Sequence, residues 1–206
     1  MSTGKVIFNM TMSLDGFVAG PNDSPGNGLG DGGNQLFDWY FSGDTDVPIS
    51  DGKMVLKVSA QSAELLNEAI GRQGAGIWGR RTFDITQGWG GHPPGTPCFI
   101  VTHNIPQEWD YCGSPFIFVT DGIESAIQQA RQAAGEKDVV ICTASILQQS
   151  LQAGLLDEIH VDIAPILLGS GVRLFDHLGG EPIELERTRV VEAPGVTHLS
   201  FRVIKK

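Results

Sequence analysis

The chain has 206 residues, of which 41% are hydrophobic and 18% are charged. This composition excludes a disordered chain and suits one α/β domain, which we expect to span residues 1–206. The 14 lysine and arginine residues are outnumbered by 24 aspartate and glutamate residues, which gives a formal net charge of -10. Such a charge argues against a nucleic-acid-binding surface, so any anionic ligand must be held by a few local groups.

The three cysteines are Cys98, Cys112 and Cys142, and their spacing fits neither a disulfide framework nor a C-x-x-C metal or redox pair. They predict small buried thiols in a reducing compartment. The apolar run at residues 6–10 is too short for a signal peptide, and no stretch approaches the ~20 apolar residues that cross a membrane. We therefore expect a cytoplasmic protein with no membrane partner.

The first part of the chain predicts a strand, a loop and two helices. Residues 5–12 are β-branched and apolar and predict a central strand, which ends at an Asp-Gly turn. Residues 20–33 are rich in Gly, Pro and Asn and predict a mobile loop, and residues 35–41 predict a short aromatic helix. After a polar stretch that contains proline, Ser59 predicts the N-cap of a helix to about residue 70. Its predicted apolar face consists of Leu65, Leu66, Ala69 and Ile70.

The remainder of the chain alternates apolar runs with helical patterns. The runs at 76–79, 98–102, 116–119 and 138–142 predict parallel strands, and helices are predicted from 80, over about 121–134 with a Thr120-Asp121 cap, and over 145–153. Three further strands are predicted at 159–166, 184–191 and 197–204, with no helix of comparable length between them. The sequence thus predicts a three-layer α/β domain, whose mostly parallel central sheet ends in an antiparallel C-terminal hairpin.

Several familiar functional patterns are weak here. Gly28, Gly30 and Gly33 match G-x-G-x-x-G, but a dinucleotide fingerprint needs a strand that ends at the first glycine, and a loop precedes it here. The five histidines show no metal-binding spacing, although His160 and Asp162 share one face of a strand, so we expect no metal site. No G-x-S-x-G elbow is present, so covalent catalysis has no direct support.

The ends of three predicted strands carry polar side chains. Arg80, Arg81 and Thr82 follow one strand and open a helix, where free N–H groups favour a phosphate, although a salt-bridged surface pair is the alternative. The other two strand ends carry Thr102 with His103 and Thr143 with Ser145. Because ligands of open α/β sheets bind at the carboxyl edge, these junctions could together hold an extended phosphorylated cofactor.

Five motifs that occur in this order resemble a known family. They are SLDGF at 13–17, GRRTF at 79–83, TH at 102–103, AGLLDE at 153–158 and APILLGSG at 164–171. Together they resemble the dihydrofolate reductase-like superfamily, in the branch of the C-terminal reductase domain of the riboflavin-biosynthesis deaminase/reductase. The resemblance covers nearly the whole chain and implies an NADPH-dependent reductase that is commonly a homodimer. The apolar run at 159–168 could supply a buried dimer surface.

The resemblance also implies where NADP(H) would bind. The implied residues are Ser13, Gly79, Arg80, Arg81, Thr82, Thr102, His103, Thr143, Ala144, Ser145 and Ile146. The family normally has a Gly-Gly pair after the later strand, and this chain has Thr143-Ala144 at that place. Either the Thr143 and Ser145 hydroxyls replace the lost backbone contacts, or the dinucleotide site is degraded and the fold serves another purpose.

If the cofactor binds, a hydride would pass to a small conjugated heterocyclic or aromatic substrate. The candidate substrate-binding residues are Phe17, Trp39, Trp89, Leu168 and Phe175. Asp15 or Asp38 could supply or relay a proton, and the loop at 20–33 could close as a lid. Two alternatives remain, namely a redox-neutral enzyme for dehydration, cyclisation or isomerisation, and a non-catalytic small-molecule-binding protein.

Overall fold

The computed structural model describes residues 4–49, 52–95, 97–111 and 113–205. Its first elements are β1 (Val6–Ser13), β2 (Phe17–Ala19), β3 (Thr45–Ile49), β4 (Met54–Val58), α1 (Ala60–Arg72), β5 (Gln73–Gly79) and α2 (Arg80–Ile85). They are followed by β6 (Cys98–Val101), β7 (Phe116–Val119), α3 (Ile123–Ala134), β8 (Asp138–Ile141) and α4 (Ala144–Gln152). The last strands are β9 (Glu158–Ala164), β10 (Val172–Arg173), β11 (Leu185–Ala193) and β12 (Val196–Val203). Short 3-10 helices cover Gly33–Phe41, Gln87–Gly91 and Gln107–Trp109.

Eight strands form the main sheet in the order β11-β12-β9-β1-β8-β5-β6-β7. All neighbouring pairs from β9 to β7 are parallel, whereas β12 is antiparallel to both β9 and β11. The predicted mostly parallel sheet with an antiparallel C-terminal hairpin is therefore confirmed, and β1 is central as expected. Connections through helices on both faces explain the parallel order, because parallel neighbours require a crossover.

Strand alternation assigns the two faces of the sheet. Val6 and Phe8 of β1 pack in the large apolar core with α3 and α4, whereas Ile7 between them faces the opposite side, below α1. In β9, Ile159 and Val161 likewise belong to the large core. The fold thus has three layers, with helices above and below the sheet.

The loops differ from the sequence prediction in three places. The polar stretch before Ser59 contains the β3–β4 hairpin, in which Pro48 pairs with Val55. Two short strands, β2 and β10, also pair and lie outside the main sheet. The cap predicted at Thr120-Asp121 is wrong, because α3 begins at Ile123 and its N-cap is Gly122 with a φ of 104°. Only glycine adopts that φ easily, so the turn itself sets the start of the helix.

The helix predicted after Ser59 is confirmed, and the Ser59 hydroxyl accepts a hydrogen bond from the N–H of Ser62. Its predicted apolar face is only partly covered. Leu65 and Leu66 are half-buried, and Ile70 is 42% exposed. These side chains border a cavity between α1 and the sheet, so the apolar stripe of α1 does not close against a packed core.

The apolar run predicted as a dimer surface is largely the internal strand β9. Its neighbours β1 and β12 pair with both of its edges, and its Ile159 and Val161 side chains lie in the large core. The dimer stays a prediction. Beyond β9, Leu167 is 71% exposed. In the described part of the chain, no helix has the length and apolar character needed to cross a membrane.

Candidate active site

The carboxyl ends of β5 and β8 are joined by a direct hydrogen bond. The backbone N–H of Gly79 donates to Thr143 Oγ1 at 3.2 Å. The Thr143 hydroxyl does not cap α4, and among the described residues no side chain accepts a hydrogen bond from the first N–H groups of that helix. Ser145 in the first turn is exposed. The start of α4 therefore presents free N–H donors and a hydroxyl at the edge of the sheet.

The backbone at Thr143, where the resemblance implies a Gly-Gly pair, is not strained. Thr143 has a φ of -134° and a ψ of 141°, which is ordinary extended backbone for a β-branched residue. Its side chain and that of Ala144 are nonetheless buried at the strand end. Gly79 remains the close-approach position, because a Cβ there would lie 3.0 Å from Ser145 Oγ. The space at this strand end is thus smaller than it would be with glycine at positions 143 and 144.

Arg80 connects the ends of β5 and β6. Its Nε donates to Asp84 at 2.7 Å, and its Nη1 donates to the Asn104 carbonyl at 2.7 Å and to Thr102 Oγ1 at 3.3 Å. The structure therefore brings together the three predicted polar strand ends. His103 beside them is exposed.

Arg81 points to a different partner from Arg80. Its guanidinium contacts both carboxylate oxygens of Asp23, with the shorter distance 2.5 Å, and donates to the Asp23 carbonyl. Asp23 belongs to the glycine-rich loop, and a Cβ added to Gly32 of that loop would lie 3.7 Å from the Leu168 side chain. The loop thus reaches from α2 to the segment after β9. This location suits the predicted lid, although the loop is tied to α2 by an ion pair.

Asp15 holds the turn after β1 against the segment after β9. Its carboxylate accepts hydrogen bonds from the Ser13 hydroxyl and from the backbone N–H groups of Leu168 and Gly169. The Ser13 hydrogen bond, supported by the backbone donors, lowers the pKa of Asp15 below its usual value. At neutral pH Asp15 is therefore ionised, and three hydrogen bonds hold its carboxylate in place. The other predicted acid, Asp38, is exposed on the 3-10 helix Gly33–Phe41.

A cavity of about 330 Å³ lies between α1 and the sheet. Its walls are largely apolar and include Ile7, Leu56, Leu65, Val140 and Leu199. It extends from the amino ends of β1, β8 and β9 toward Cys142, which directly precedes Thr143. The inner end of the cavity therefore reaches the residue before Thr143, whereas Thr143, Gly79 and Arg80 of the edge do not line it.

The rim of the cavity carries charges that are paired with one another. Lys5 contacts Glu158 at 2.5 Å, Arg72 contacts Asp138 at 2.7 Å, and Arg189 contacts Glu68 at 2.8 Å. All six side chains line the cavity. The positive charges of the rim are thus already engaged by protein carboxylates.

The inner end carries a different set of polar groups. Tyr40, Cys142, Asp162 and His198 line it. Burial raises the pKa of Tyr40 far above its usual value, and the nearby charge of Asp162 raises it further. Burial also raises the pKa of Cys142 to about 12. Both groups therefore stay protonated at neutral pH.

The predicted substrate-binding residues do not line this cavity. Phe17 and Trp39 are buried, Trp89 packs against Trp78 and Phe83, Leu168 is half-buried, and Phe175 is 39% exposed. The sequence prediction missed Tyr40, Asp162 and His198. One signal was available. His160 and Asp162 lie on one face of the apolar strand β9, which indicates that this face borders a polar space.

Comparisons with known proteins match the sheet and helices that carry this site. The family model of the RibD C-terminal domain matches residues 94–199, which is more than half of the chain. The chain belongs to this family. The matched RibD segment contains β6 to β11 and the first half of β12, and it includes Thr102, Thr143 and Asp162. No curated protein matches the chain.

Solved structures support the fold of this RibD-family chain. A protein from Shewanella sp. PV-4 that is assigned to riboflavin biosynthesis has a TM-score of 0.70 at 20% identity, over 98% of this chain and 99% of that one. The diaminohydroxyphosphoribosylaminopyrimidine deaminase/5-amino-6-(5-phosphoribosylamino)uracil reductase of Thermotoga maritima has a TM-score of 0.62 at 10% identity. The match covers 98% of this chain but only 57% of that protein. Dihydrofolate reductase from Enterococcus faecalis, complexed with NADP(H), has a TM-score of 0.57 at 13% identity, over 99% of both chains. The dihydrofolate reductase-like fold is thus confirmed.

Proposed function

We propose that the protein is an NADPH-dependent reductase that transfers a hydride to a small conjugated substrate. The observation that carries this proposal is the junction at Cys142 and Thr143, where a residue that lines the apolar cavity directly precedes a residue of the polar carboxyl edge. A dinucleotide at the edge and a planar substrate in the cavity would be adjacent there. The reductase and the NADP(H) complex among the similar structures support the same activity.

The hydrogen-bond donors at the carboxyl edge of the sheet suit the phosphate groups of NADPH. The uncapped start of α4, with Ala144, Ser145 and Ile146, offers N–H groups to a diphosphate. Arg80 and Thr102 lie at the neighbouring strand end, and the wider predicted set adds Ser13, Gly79, Arg81, Thr82, His103 and Thr143. When bound, the nicotinamide would supply the hydride.

The protein would contribute orientation and the exclusion of water. The cavity walls are apolar and can hold a flat ring against β1 and β8. Of the two predicted acids, we propose that Asp15 is a positioning residue, because its carboxylate fixes the segment that contains Leu168. The loop at 20–33, held by the ion pair between Arg81 and Asp23, would act as the lid.

A second function is favoured by one observation, which is the burial of the Thr143 and Ala144 side chains where the family has glycine. If these atoms exclude the diphosphate, the cavity would serve a redox-neutral enzyme or a non-catalytic binding protein. Such a protein would keep the cavity and lose the cofactor.

Titration with NADPH, followed by nicotinamide fluorescence, separates the two functions. We expect saturable binding to the wild-type protein and at least ~10-fold weaker binding to Arg80→Ala, because a charge-assisted phosphate contact is lost. Ser145→Asp should weaken binding as well, since it places a negative charge at the start of α4. Arg187→Ala, which removes an exposed positive charge from β11, is the matched control. Absence of saturable binding at millimolar NADPH would overturn the reductase proposal.

We also propose one domain over residues 1–206, a cytoplasmic location and a homodimer. Strands from both ends of the chain meet in one sheet, where β9 pairs with β1 and β12, and this supports the single domain. The free thiols of Cys98 and Cys142 suit a reducing compartment. Cys112 lies outside the described residues. Sedimentation equilibrium would test the dimer.

A further inference from the structure

Asn27 holds the glycine-rich loop together through both its backbone and its side chain. Its N–H donates to the Ser24 carbonyl at 2.9 Å, and its own carbonyl accepts from the N–H groups of Ser24 at 3.1 Å and Gly30 at 2.9 Å. Its side-chain Nδ2 donates to the Asn22 carbonyl at 3.2 Å and to Asp31 Oδ1 at 3.0 Å. Five hydrogen bonds thus meet at this one residue.

The side-chain hydrogen bonds of Asn27 depend on its being an amide. The amide supplies the donor in both of them, whereas a carboxylate at this position would have no donor. A carboxylate would also place a second negative charge beside Asp31. The arginine that reaches this loop, Arg81, is already paired with Asp23. The loop as it stands in the structure therefore needs the amide nitrogen of Asn27.

The residue after Asn27 favours chemical loss of that nitrogen. Gly28 has no Cβ to obstruct the approach of its backbone nitrogen to the preceding side chain, and it is exposed. Among the described residues, no acceptor bonds to the N–H of Gly28. The other five asparagines are each followed by a residue with a side chain; they are Asn9, Asn22, Asn34, Asn67 and Asn104.

We propose that Asn27 is a site of spontaneous deamidation, and that its deamidation permanently releases the glycine-rich loop. The backbone nitrogen of Gly28 loses its proton to water and attacks Cγ of Asn27. A bond forms between this nitrogen and Cγ, the bond from Cγ to Nδ2 breaks, and Nδ2 takes a proton from water and leaves as ammonia. Water then opens the resulting succinimide at either carbonyl, which yields aspartate or isoaspartate. No oxidation or reduction takes place.

Either product removes hydrogen bonds that hold the loop. Aspartate replaces the donor that faces Asp31 with a negatively charged acceptor. Isoaspartate does the same to the backbone, because the main chain then runs through Cγ and the carbonyl that accepts from Ser24 and Gly30 becomes a free carboxylate. Since the ammonia is lost to solvent, the original bonds do not re-form. The proposal is independent of what the loop covers.

The intact loop protects its own amide. The leaving nitrogen, Nδ2, must give up its hydrogen bonds to Asn22 and Asp31 before it departs. The reaction is therefore favoured in chains whose loop has opened locally, and its rate follows the population of that open form. Deamidation at Asn27 thus makes a reversible opening of the loop irreversible.

Peptide mass spectrometry of the wild-type protein during storage at neutral pH tests the reaction. We expect Asn27 to be converted faster than Asn67 and Asn104, and isoaspartyl methyltransferase labelling should detect isoaspartate among the products. Gly28→Ala should slow the conversion several-fold. An added Cβ there would meet only Ile85 Cγ2, at the ordinary contact distance of 3.4 Å, so the loop can keep its fold. Conversion of Asn27 no faster than that of the other two asparagines would overturn the proposal.

A second variant tests the protection by the intact loop. Asp31→Ala removes one acceptor of Nδ2, and conversion of Asn27 should become at least ~5-fold faster, because a hydrogen bond to a carboxylate is lost. Asp38→Ala removes an exposed acid from the neighbouring 3-10 helix and should leave the rate as in the wild-type protein. Equal rates in the two variants would contradict the proposed protection.

The release of the loop is measured with Asn27→Asp, which reproduces one product of the reaction. The N–H groups of Gly30 and Asp31 donate to the carbonyls of Asn27 and Pro21, so their hydrogen exchange reports on the loop. We expect exchange at least ~5-fold faster than in the wild-type protein. Asn34→Asp adds the same charge to an exposed position nearby and should leave this exchange unchanged. Wild-type exchange rates in Asn27→Asp would refute the release, and neither result bears on NADPH binding.

Discussion

The backbone N–H of Gly79 donates to the hydroxyl of Thr143 at 3.2 Å, across the ends of β5 and β8. These residues are 64 positions apart in sequence, and the bond lies in the buried part of the carboxyl edge. One hydroxyl therefore joins two strand ends and leaves the start of α4 uncapped. The Thr143 hydroxyl thus makes a bond within the protein at the carboxyl edge of the sheet.

We expect Thr143→Val to destabilise the protein by about 1–2 kcal/mol, because the isosteric side chain leaves the buried N–H of Gly79 without an acceptor. The free energy of unfolding in urea is the measurement. Thr188→Val is the control, since the Thr188 hydroxyl also bonds a backbone group but is exposed. An unfolding free energy of Thr143→Val equal to that of the control would contradict the structural role.

Asp15→Asn should loosen the segment after β9. An amide has one acceptor oxygen and an NH₂ group, so it cannot accept from both Leu168 and Gly169 as the carboxylate does. Amide hydrogen exchange at residues 166–171 should become faster. The same exchange in Asp176→Asn, which changes an exposed acid nearby, should stay as in the wild-type protein.

Asp15 also makes stability depend on pH. Its pKa is lowered in the folded protein, so its contribution is present above the ordinary aspartate pKa and is lost as the pH falls through the lower, folded value. In Asp15→Asn, the acid side of the stability curve should therefore be flatter than in the wild-type protein. Parallel curves between about pH 5 and pH 2 would refute this assignment.

Asp23→Asn should free the glycine-rich loop from α2. The ion pair with Arg81 is largely exposed on the arginine side, so we expect a change of no more than ~1 kcal/mol in global stability. Limited proteolysis within residues 20–33 should nevertheless become faster, because the loop loses its contact with α2. Asp46→Asn breaks an exposed ion pair with Lys57 and serves as the control, which should leave cleavage of the loop unchanged.

Cys98 and Cys142 should be almost inert to alkylation in the folded protein. Burial raises the pKa of each thiol to about 12, and only the thiolate reacts. Labelling with iodoacetamide, resolved by peptide mass spectrometry, should be slow from pH 7 to pH 9 and should rise only as the pH approaches the raised values. The urea-unfolded chain is the reference. Equal rates for Cys142 in the two states at pH 8 would show that this thiol is not held in its protonated form.

The elements of the main sheet could be predicted because each carries a local signal. The apolar runs at β7 and β8 and the capping serine of α1 lie where the sequence places them. The β3–β4 hairpin was missed because Pro48 and exposed side chains, such as Val55, give no strand-like alternation. A two-stranded ribbon is held by its cross-strand partners, and a single sequence does not show those partners.

Part of the candidate site could likewise be predicted from the sequence, and part of it could not. Polar residues at the ends of β5, β6 and β8 could be predicted to meet, because the carboxyl ends of parallel strands share one edge. The group at Asp162 could not, since His198 is 36 positions from Asp162 and 136 from Ser62. Only the order of β9 and β12 in the sheet, with α1 packed above them, brings these three side chains together.

The position of β12 between β9 and β11 has a consequence for synthesis on the ribosome. The cavity wall that bears His198 is completed only after β12 has left the exit tunnel, and until then one edge of β9 is open. A nascent chain that stalls before Val196 would expose that apolar edge to other unfinished chains, which is a route to aggregation. Quality control of this protein should therefore act most strongly on chains that lack β12.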